Sequence, residues 1–192
     1  MFEVEMKFRS PGNERVIEML KSMGAQALFD GCMEDVYFAH PDRDFGITDE
    51  AVRLRLCGTS AELTYKGPRM KTSTAKAREE LTVSVDDGLA ARRLLERLGF
   101  SEFVSVKKRR ASFLLDKVRV EVDEVEGLGQ FVELELITED HSRAESQIEL
   151  ARKKLTLTKQ TSETYLEMLL AKRGSPRRAQ IPCSDSIRPA GP

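Results

Sequence analysis

The chain has 192 residues, 40% hydrophobic and 33% charged, yet its net charge is only −1. That length suits one domain with a single core, and the balanced charge excludes bulk electrostatic binding to nucleic acid or an anionic membrane. No apolar run approaches the roughly 18 residues of a membrane span, and the three scattered cysteines (Cys32, Cys57, Cys183), with no leader-like start, are read as a reducing, cytoplasmic setting. The two histidines, His40 and His141, lie far apart and do not suggest a zinc site.

In chain order, "FEVEMKFR" (2–9) alternates apolar and charged residues and predicts a strand with one buried face. Ser10-Pro11 reads as the start of a helix with Val16, Ile17, Leu20 and Met23 along one side and Gly24 at its end. Residues 25–38 contain a strand leading into "DVYF", whose Tyr37 and Phe38 are expected in the core rather than stacked on a base. "HPDRDFGITDE" is a polar loop. Residues 51–58 and 61–68 predict a hairpin, "MKTSTAK" a mobile loop and 77–85 another strand. Asp86 and Asp87 cap a helix running to Leu98, with Leu94, Leu95 and Leu98 expected buried and Gly99 ending it. Residues 103–115, 117–125 and 130–138 read as strands, with a turn at Gly127 and Gly129. Helices follow at 141–155 (Ile148, Ala151 and Leu155 on one side) and 161–172, where Tyr165 is expected to anchor the last helix. Pro, Arg, Ser and Gly dominate from Arg173, so 1–172 is expected to form the domain and 173–192 a disordered tail. Strand follows strand more often than helix, which favours an antiparallel α+β sheet or a barrel.

Parity carries the functional signal, because alternate residues of a strand share a face. The polar faces collect Glu3, Glu5, Lys7 and Arg9; Arg53 and Arg55; Glu62, Thr64 and Lys66; Arg78 and Glu80; Lys107 and Arg109; Arg119, Glu121 and Asp123; Glu133 and Glu135. A single such strand is ordinarily a wet face over helices. Repeated on nearly every strand, with cations in the middle and carboxylates first and last, the pattern favours a sheet curled into a barrel, with the charged side inside and the apolar side outward against the helices. Ionised groups resist leaving water unless paired. A polyphosphate held by Lys and Arg, with Mg²⁺ or Mn²⁺ held by carboxylates, would pair both sets.

Glu3, Glu5 and Lys7 of "EVEMK" resemble the ExExK signature of the CYTH family, the triphosphate tunnel metalloenzymes. "DVYF", "DEAVRLRL", "LTYKGP", "KAREEL", "VKKRR", "VEVDEVEGLGQFVELE" and "TYLEMLL" follow in the family's order over residues 2 to 170, and two of the segments are most similar to class IV adenylyl cyclases and their archaeal relatives. Thr164-Tyr165 stands where members often have Ser-Tyr. The resemblance implies an eight-stranded antiparallel closed β-barrel with a charged lumen and flanking helices, a tunnel with about two divalent ions, in agreement with the charge pattern. It implies metal carboxylates at Glu3, Glu5, Asp123, Glu133 and Glu135, with Glu5 and Glu133 in direct ligation. It implies triphosphate contacts at Lys7, Arg55, Lys66, Lys107 and Arg109, with Arg53, Arg78 and Arg119 as further contacts. The catalytic set is then Glu5, Lys7, Glu133 and Arg109. The implied reaction is ATP to cAMP and pyrophosphate by positioning and charge stabilisation, with no His or Cys nucleophile. A triphosphatase acting on inorganic, thiamine or nucleoside triphosphate would use the same residues, and a non-catalytic nucleotide or polyphosphate sensor is a third reading. A homodimer is compatible with the chain.

Overall fold

The computed structural model describes residues 2–71, 76–138 and 141–172; residues 72–75 of the expected mobile loop at 70–76, and the expected disordered tail at 173–192, lie outside the described residues, while residues 70, 71 and 76 lie in strands. Eleven strands form one antiparallel sheet: β1 (Phe2–Arg9), β2 (Gln26–Ala39), β3 (Ala51–Cys57), β4 (Ser60–Lys66), β5 (Met70–Lys71), β6 (Lys76–Arg78), β7 (Glu80–Val85), β8 (Ser101–Leu115), β9 (Val118–Val125), β10 (Gly129–Thr138) and β11 (Gln160–Thr161). Their order is β5-β6-β1-β10-β9-β8-β2-β3-β4-β7, with β11 beside β1.

The sheet is not the closed eight-stranded barrel expected from the sequence. It is an open path with β5-β6 at one end and β7 at the other. The stretch expected as one strand (77–85) breaks at Glu79. β6 pairs with β1, whereas β7 pairs with β4, and the Glu79 carbonyl accepts a bond from the Gly67 N–H at 2.9 Å. Closure needs a continuous ladder of consistent stagger, and among the described residues no ladder joins β7 to β1. The sheet nevertheless wraps a common concave face, because residues of β1, β3, β4, β7, β8 and β10 line the same cavity.

Among the described residues five helices accompany the sheet: α1 (Asn13–Ser22), α2 (Phe45–Thr48), α3 (Gly88–Arg97), α4 (His141–Lys154) and α5 (Tyr165–Lys172). α1 starts later than Ser10-Pro11 implied, because Gly12 takes the cap position with φ 137° and its N–H is bound by the Ser10 hydroxyl oxygen. α3 begins on Asp87, whose side chain accepts from the Ala90 N–H. Leu95 of α3 is buried, but Leu94 and Leu98 are exposed, contrary to expectation. α2 was not anticipated in the polar loop.

The apolar positions of the strands face outward onto helices. Val4, Met6 and Phe8 of β1 join Val120 of β9, Leu134 of β10, Val16 and Leu20 of α1, and Ile148 and Leu155 beside α4 in the largest core cluster. A second cluster sets Leu95 of α3 against Val36, Phe38, Leu54 and Ala61. α5 differs: its Tyr165 and Met168 pack on Val106, Val125 and Phe131, on the concave side of the sheet. Among the described residues no helix is long and apolar enough to cross a membrane.

Ile148 is fully buried between α4 and the sheet. Ile148→Ala is expected to cost about 2–4 kcal/mol by lost burial and residual cavity. Urea unfolding measures this, and a loss under about 0.5 kcal/mol, the range of neutral surface changes, would contradict the packing.

Candidate active site: a cavity of paired charges

The concave face encloses a cavity of about 1700 Å³. Parity delivers its wall. Glu5 and Lys7 on β1, Arg53 and Arg55 on β3, Lys66 on β4, Arg78 on β6, Arg119 on β9, and Glu133 and Glu135 on β10 all line it, as expected from the sequence. Asp123 is fully buried behind the wall. Glu3 pairs through its backbone with Ile137 and Arg78, and its side chain lies outside the described residues.

Lys107 and Arg109 do not reach the cavity. Arg109 is exposed on the outer face, 3.2 Å from Asp30, and Lys107 is also exposed. Lys108 and Arg110 line the cavity in their place and are buried. The slip is one residue, which flips a strand's faces. Val106 on its own suggests that the even positions of β8 face the apolar scaffold side, but α5 sits on the concave face and requires apolar partners there, so Val106 shares a face with Lys108 and Arg110. Phe113 and Leu115, at odd positions in the outer core, are the signal that assigns β8 correctly. Asp35 on β2 was also missed as a cavity residue; Tyr37 and Phe38 beside it pack with core clusters as expected, and both also border the cavity.

The wall's cations are held by carboxylates. Lys7 Nζ lies 3.0 Å from Glu133 and 3.7 Å from Glu5, donates to the Glu163 carbonyl at 3.3 Å, and sits 4.1 Å from the Tyr165 ring centre. Burial works against the Lys7 ammonium, but Glu133 and Glu5 outweigh it and hold its pKa above the usual lysine value. Arg110 binds Asp123 through two nitrogens at 2.7 and 2.5 Å and reaches Glu133 at 2.5 Å. Burial raises the Glu133 carboxyl, but Lys7, Arg110 and Lys108 pull it well below the ordinary range. The Tyr165 hydroxyl donates to Asp123 at 2.9 Å, so the last helix is anchored on the ionic floor. On the opposite wall Arg55 forms a two-nitrogen fork with Asp35 at 2.6 and 2.9 Å, Lys108 Nζ lies 3.5 Å from the same carboxylate, and Lys66 pairs with Glu80 at 2.5 Å. Buried Arg53 donates to the Thr64 hydroxyl at 3.2 Å, and its Nε has no partner among the described residues.

Hard oxygen donors at Glu5, Glu133 and Glu135 suit a divalent cation. Among the described residues, however, no three Asp, Glu, His or Cys side chains gather as an ion-binding cluster. That set fits Mg²⁺ or Mn²⁺ arriving with a polyphosphate, because such ions are ordinarily held by one or two carboxylates plus phosphate oxygens. His40 lines the cavity but its Nδ1 accepts from the Asp42 and Arg43 N–H groups at 3.0 and 3.1 Å, so that nitrogen is not a nucleophile.

Residues 1–168 match the CYTH domain model, and the chain belongs to this family, which binds triphosphate substrates such as ATP. A Methanocaldococcus jannaschii protein called "Putative adenylate cyclase MJ0240" is 36% identical over 149 residues, 78% of this chain and 85% of that one. The PH1819 protein of Pyrococcus horikoshii superposes with a TM-score of 0.78 at 35% identity, covering 89% of this chain and 99% of that one. The Hippeastrum protein HpAC1, whose structure is described as revealing a dominant triphosphatase activity, superposes with a TM-score of 0.67 over 92% of this chain and 97% of that one; at 16% identity the likeness is of fold alone.

The paired carboxylates link stability to acid. In Asp35, burial raises the carboxyl, but Lys108 and Arg55 depress it below its usual range, so the folded pKa is the lower one. Its stabilisation is fully present above the unfolded value of about 3.9 and is lost as pH falls below it toward the folded value. Urea unfolding from pH 7 to pH 2.5 should show Asp35→Asn losing stability less steeply than wild type below about pH 4. Parallel curves would contradict the assignment.

Proposed function

We propose that this chain converts a triphosphate substrate, acting as an adenylyl cyclase that turns ATP into cAMP and pyrophosphate. The observation that carries this is the row of inward cations, Lys7, Arg53, Arg55, Lys66, Lys108 and Arg110, with the unpartnered Nε of Arg53 among them. A buried, unpaired donor on a cavity wall implies an acceptor that arrives from outside. Six cations lining one cavity suit a polyanion, and arginine forks match phosphate oxygens. The similarity to a protein named as an adenylate cyclase supports the choice of ATP.

In this reading the triphosphate lies along the cations and the ribose is held with its 3′ oxygen against the α-phosphorus. That oxygen attacks, the bond from the α-phosphorus to the bridging oxygen breaks, pyrophosphate leaves and the 3′ proton passes to solvent. Lys7, Arg55, Lys108 and Arg110 stabilise the charge gathering on the pyrophosphate, at fixed positions that need no reorganisation. A divalent ion held by Glu5, Glu133 and Glu135 with the phosphates would polarise the attacking and leaving oxygens. Lys107 and Arg109 have no part in this, because they face outward.

Hydrolysis of the triphosphate is the second reading. The cations grip a triphosphate whichever nucleophile attacks, and HpAC1 carries such an activity on this fold. Incubation with ATP, tripolyphosphate or thiamine triphosphate, each with Mg²⁺ or Mn²⁺, separates the two. The expected products are cAMP and pyrophosphate from ATP, abolished by EDTA. Release of phosphate alone establishes the triphosphatase instead, and turnover that survives EDTA overturns the metal assignment.

Neighbouring arginines give a sharper test of placement. Arg110→Ala is expected to weaken tripolyphosphate binding at least tenfold, the value of a charge-assisted bidentate contact, while Arg109→Ala leaves it unchanged. Isothermal titration with circular dichroism as a fold control measures both. A loss in Arg109→Ala with full binding in Arg110→Ala would reverse the orientation of β8.

A further inference from the structure

Every cation proposed for the triphosphate requires an account of what holds it when no phosphate is present. We infer that Asp35 is a built-in counter-ion of this site: it positions Arg55 and Lys108 and is displaced from them by the incoming triphosphate, so that it limits the affinity. The inference rests on the triphosphate reading above.

The geometry is specific. Asp35 lies directly opposite Arg55 across the β2–β3 ladder. Its Oδ1 takes the Arg55 Nε–H at 2.6 Å and its Oδ2 takes Nη2–H at 2.9 Å, which uses the fork that a phosphate would otherwise fill. Lys108 Nζ shares Oδ2 at 3.5 Å. Arg55, Lys108 and Asp35 all line the cavity, yet Asp35 is only 2% exposed. Burial disfavours its charge, and Lys108, Arg55 and Arg53 restore it. One guanidinium fork cannot serve a carboxylate and a phosphate in the same two-nitrogen geometry. A triphosphate oxygen on Arg55 therefore displaces part of this pair, and the remaining carboxylate repels it at close range in a medium that screens poorly.

Two consequences are opposite in sign. Without Asp35's charge, half-buried Arg55 loses its carboxylate and buried Lys108 keeps only Asp123 at 3.5 Å, so the unliganded fold weakens. With triphosphate bound, the same change removes a repelling charge. A purely structural Asp35 would show the first effect alone. The same logic applies to Glu80, which holds Lys66 at 2.5 Å in a half-buried pair on the β4–β7 ladder.

Asp35→Asn keeps the shape and removes the charge. Tripolyphosphate affinity is measured by titration calorimetry in EDTA, so that no metal enters, and thermal melting is followed with and without ligand. The expected result is a lower melting temperature without ligand, a larger ligand-induced rise than in wild type, and about tenfold tighter binding. Equal or weaker binding by folded Asp35→Asn, with wild type binding normally, overturns the inference alone. If Asp35→Asn does not fold, Glu80→Gln decides: tighter binding sustains the counter-ion role, and unchanged or weaker binding overturns it. Absence of binding by wild type and by both variants overturns the triphosphate reading together with the inference built on it.

Discussion

The structure depends on the charge network at the floor of the concave face, in which Lys7, Glu133, Arg110, Asp123 and Tyr165 bind one another out of solvent. Four ionised groups in such a place are stable only while each has its partners, and removing one partner from a buried pair typically costs about 3–5 kcal/mol. The sheet exists in its curved form because its outer positions supply helix-covered apolar clusters, and its inner positions can then be ionic. α5 is the exception that makes the site. It enters the concave side, buries Val106, Val125 and Phe131, and places the Tyr165 hydroxyl on Asp123. The apolar plug and the ionic floor are thus continuous.

This arrangement also explains why a site rich in both signs need not hold a preformed ion. The carboxylates at hand are turned onto Lys and Arg: Glu133 onto Lys7 and Arg110, Asp35 onto Arg55 and Lys108. Cations held this way keep their orientation without a ligand, which is what preorganised charge stabilisation requires. On the proposed function, phosphate oxygens that replaced the carboxylates on the cations would free them for a divalent ion, and the two ligands would then favour each other's binding by linkage.

Much of this was legible from alternation alone. On β1, β3, β9 and β10 each strand has a long apolar row against helices, so parity assigned Lys7, Arg53, Arg55, Glu121, Glu133 and Glu135 to the concave face, and all six line the cavity. β8 failed because its apolar residues lie on two different supports. Val106 meets α5 inside, while Phe113 and Leu115 meet the outer core, and a marker taken from one end misassigned Lys107 and Arg109. Closure was not legible either. Strand count and charge parity say nothing of the partner change at Glu79, which depends on how β6 and β7 each find an edge. Asp35 was hidden within "EDVYF", a stretch too apolar around it to reveal that its carboxylate points among arginines.

The central claim is that the inward cations, and not the outward ones, hold a triphosphate. A crystal structure with the α,β-methylene analogue of ATP tests it most directly, since that analogue cannot release pyrophosphate. The account predicts phosphate oxygens against Lys7, Arg55, Lys108 and Arg110 on the concave face, with Arg55 turned from Asp35. Phosphates bound outside, at Lys107 and Arg109, or a cavity that stays closed by its own ion pairs at saturating analogue, would contradict it.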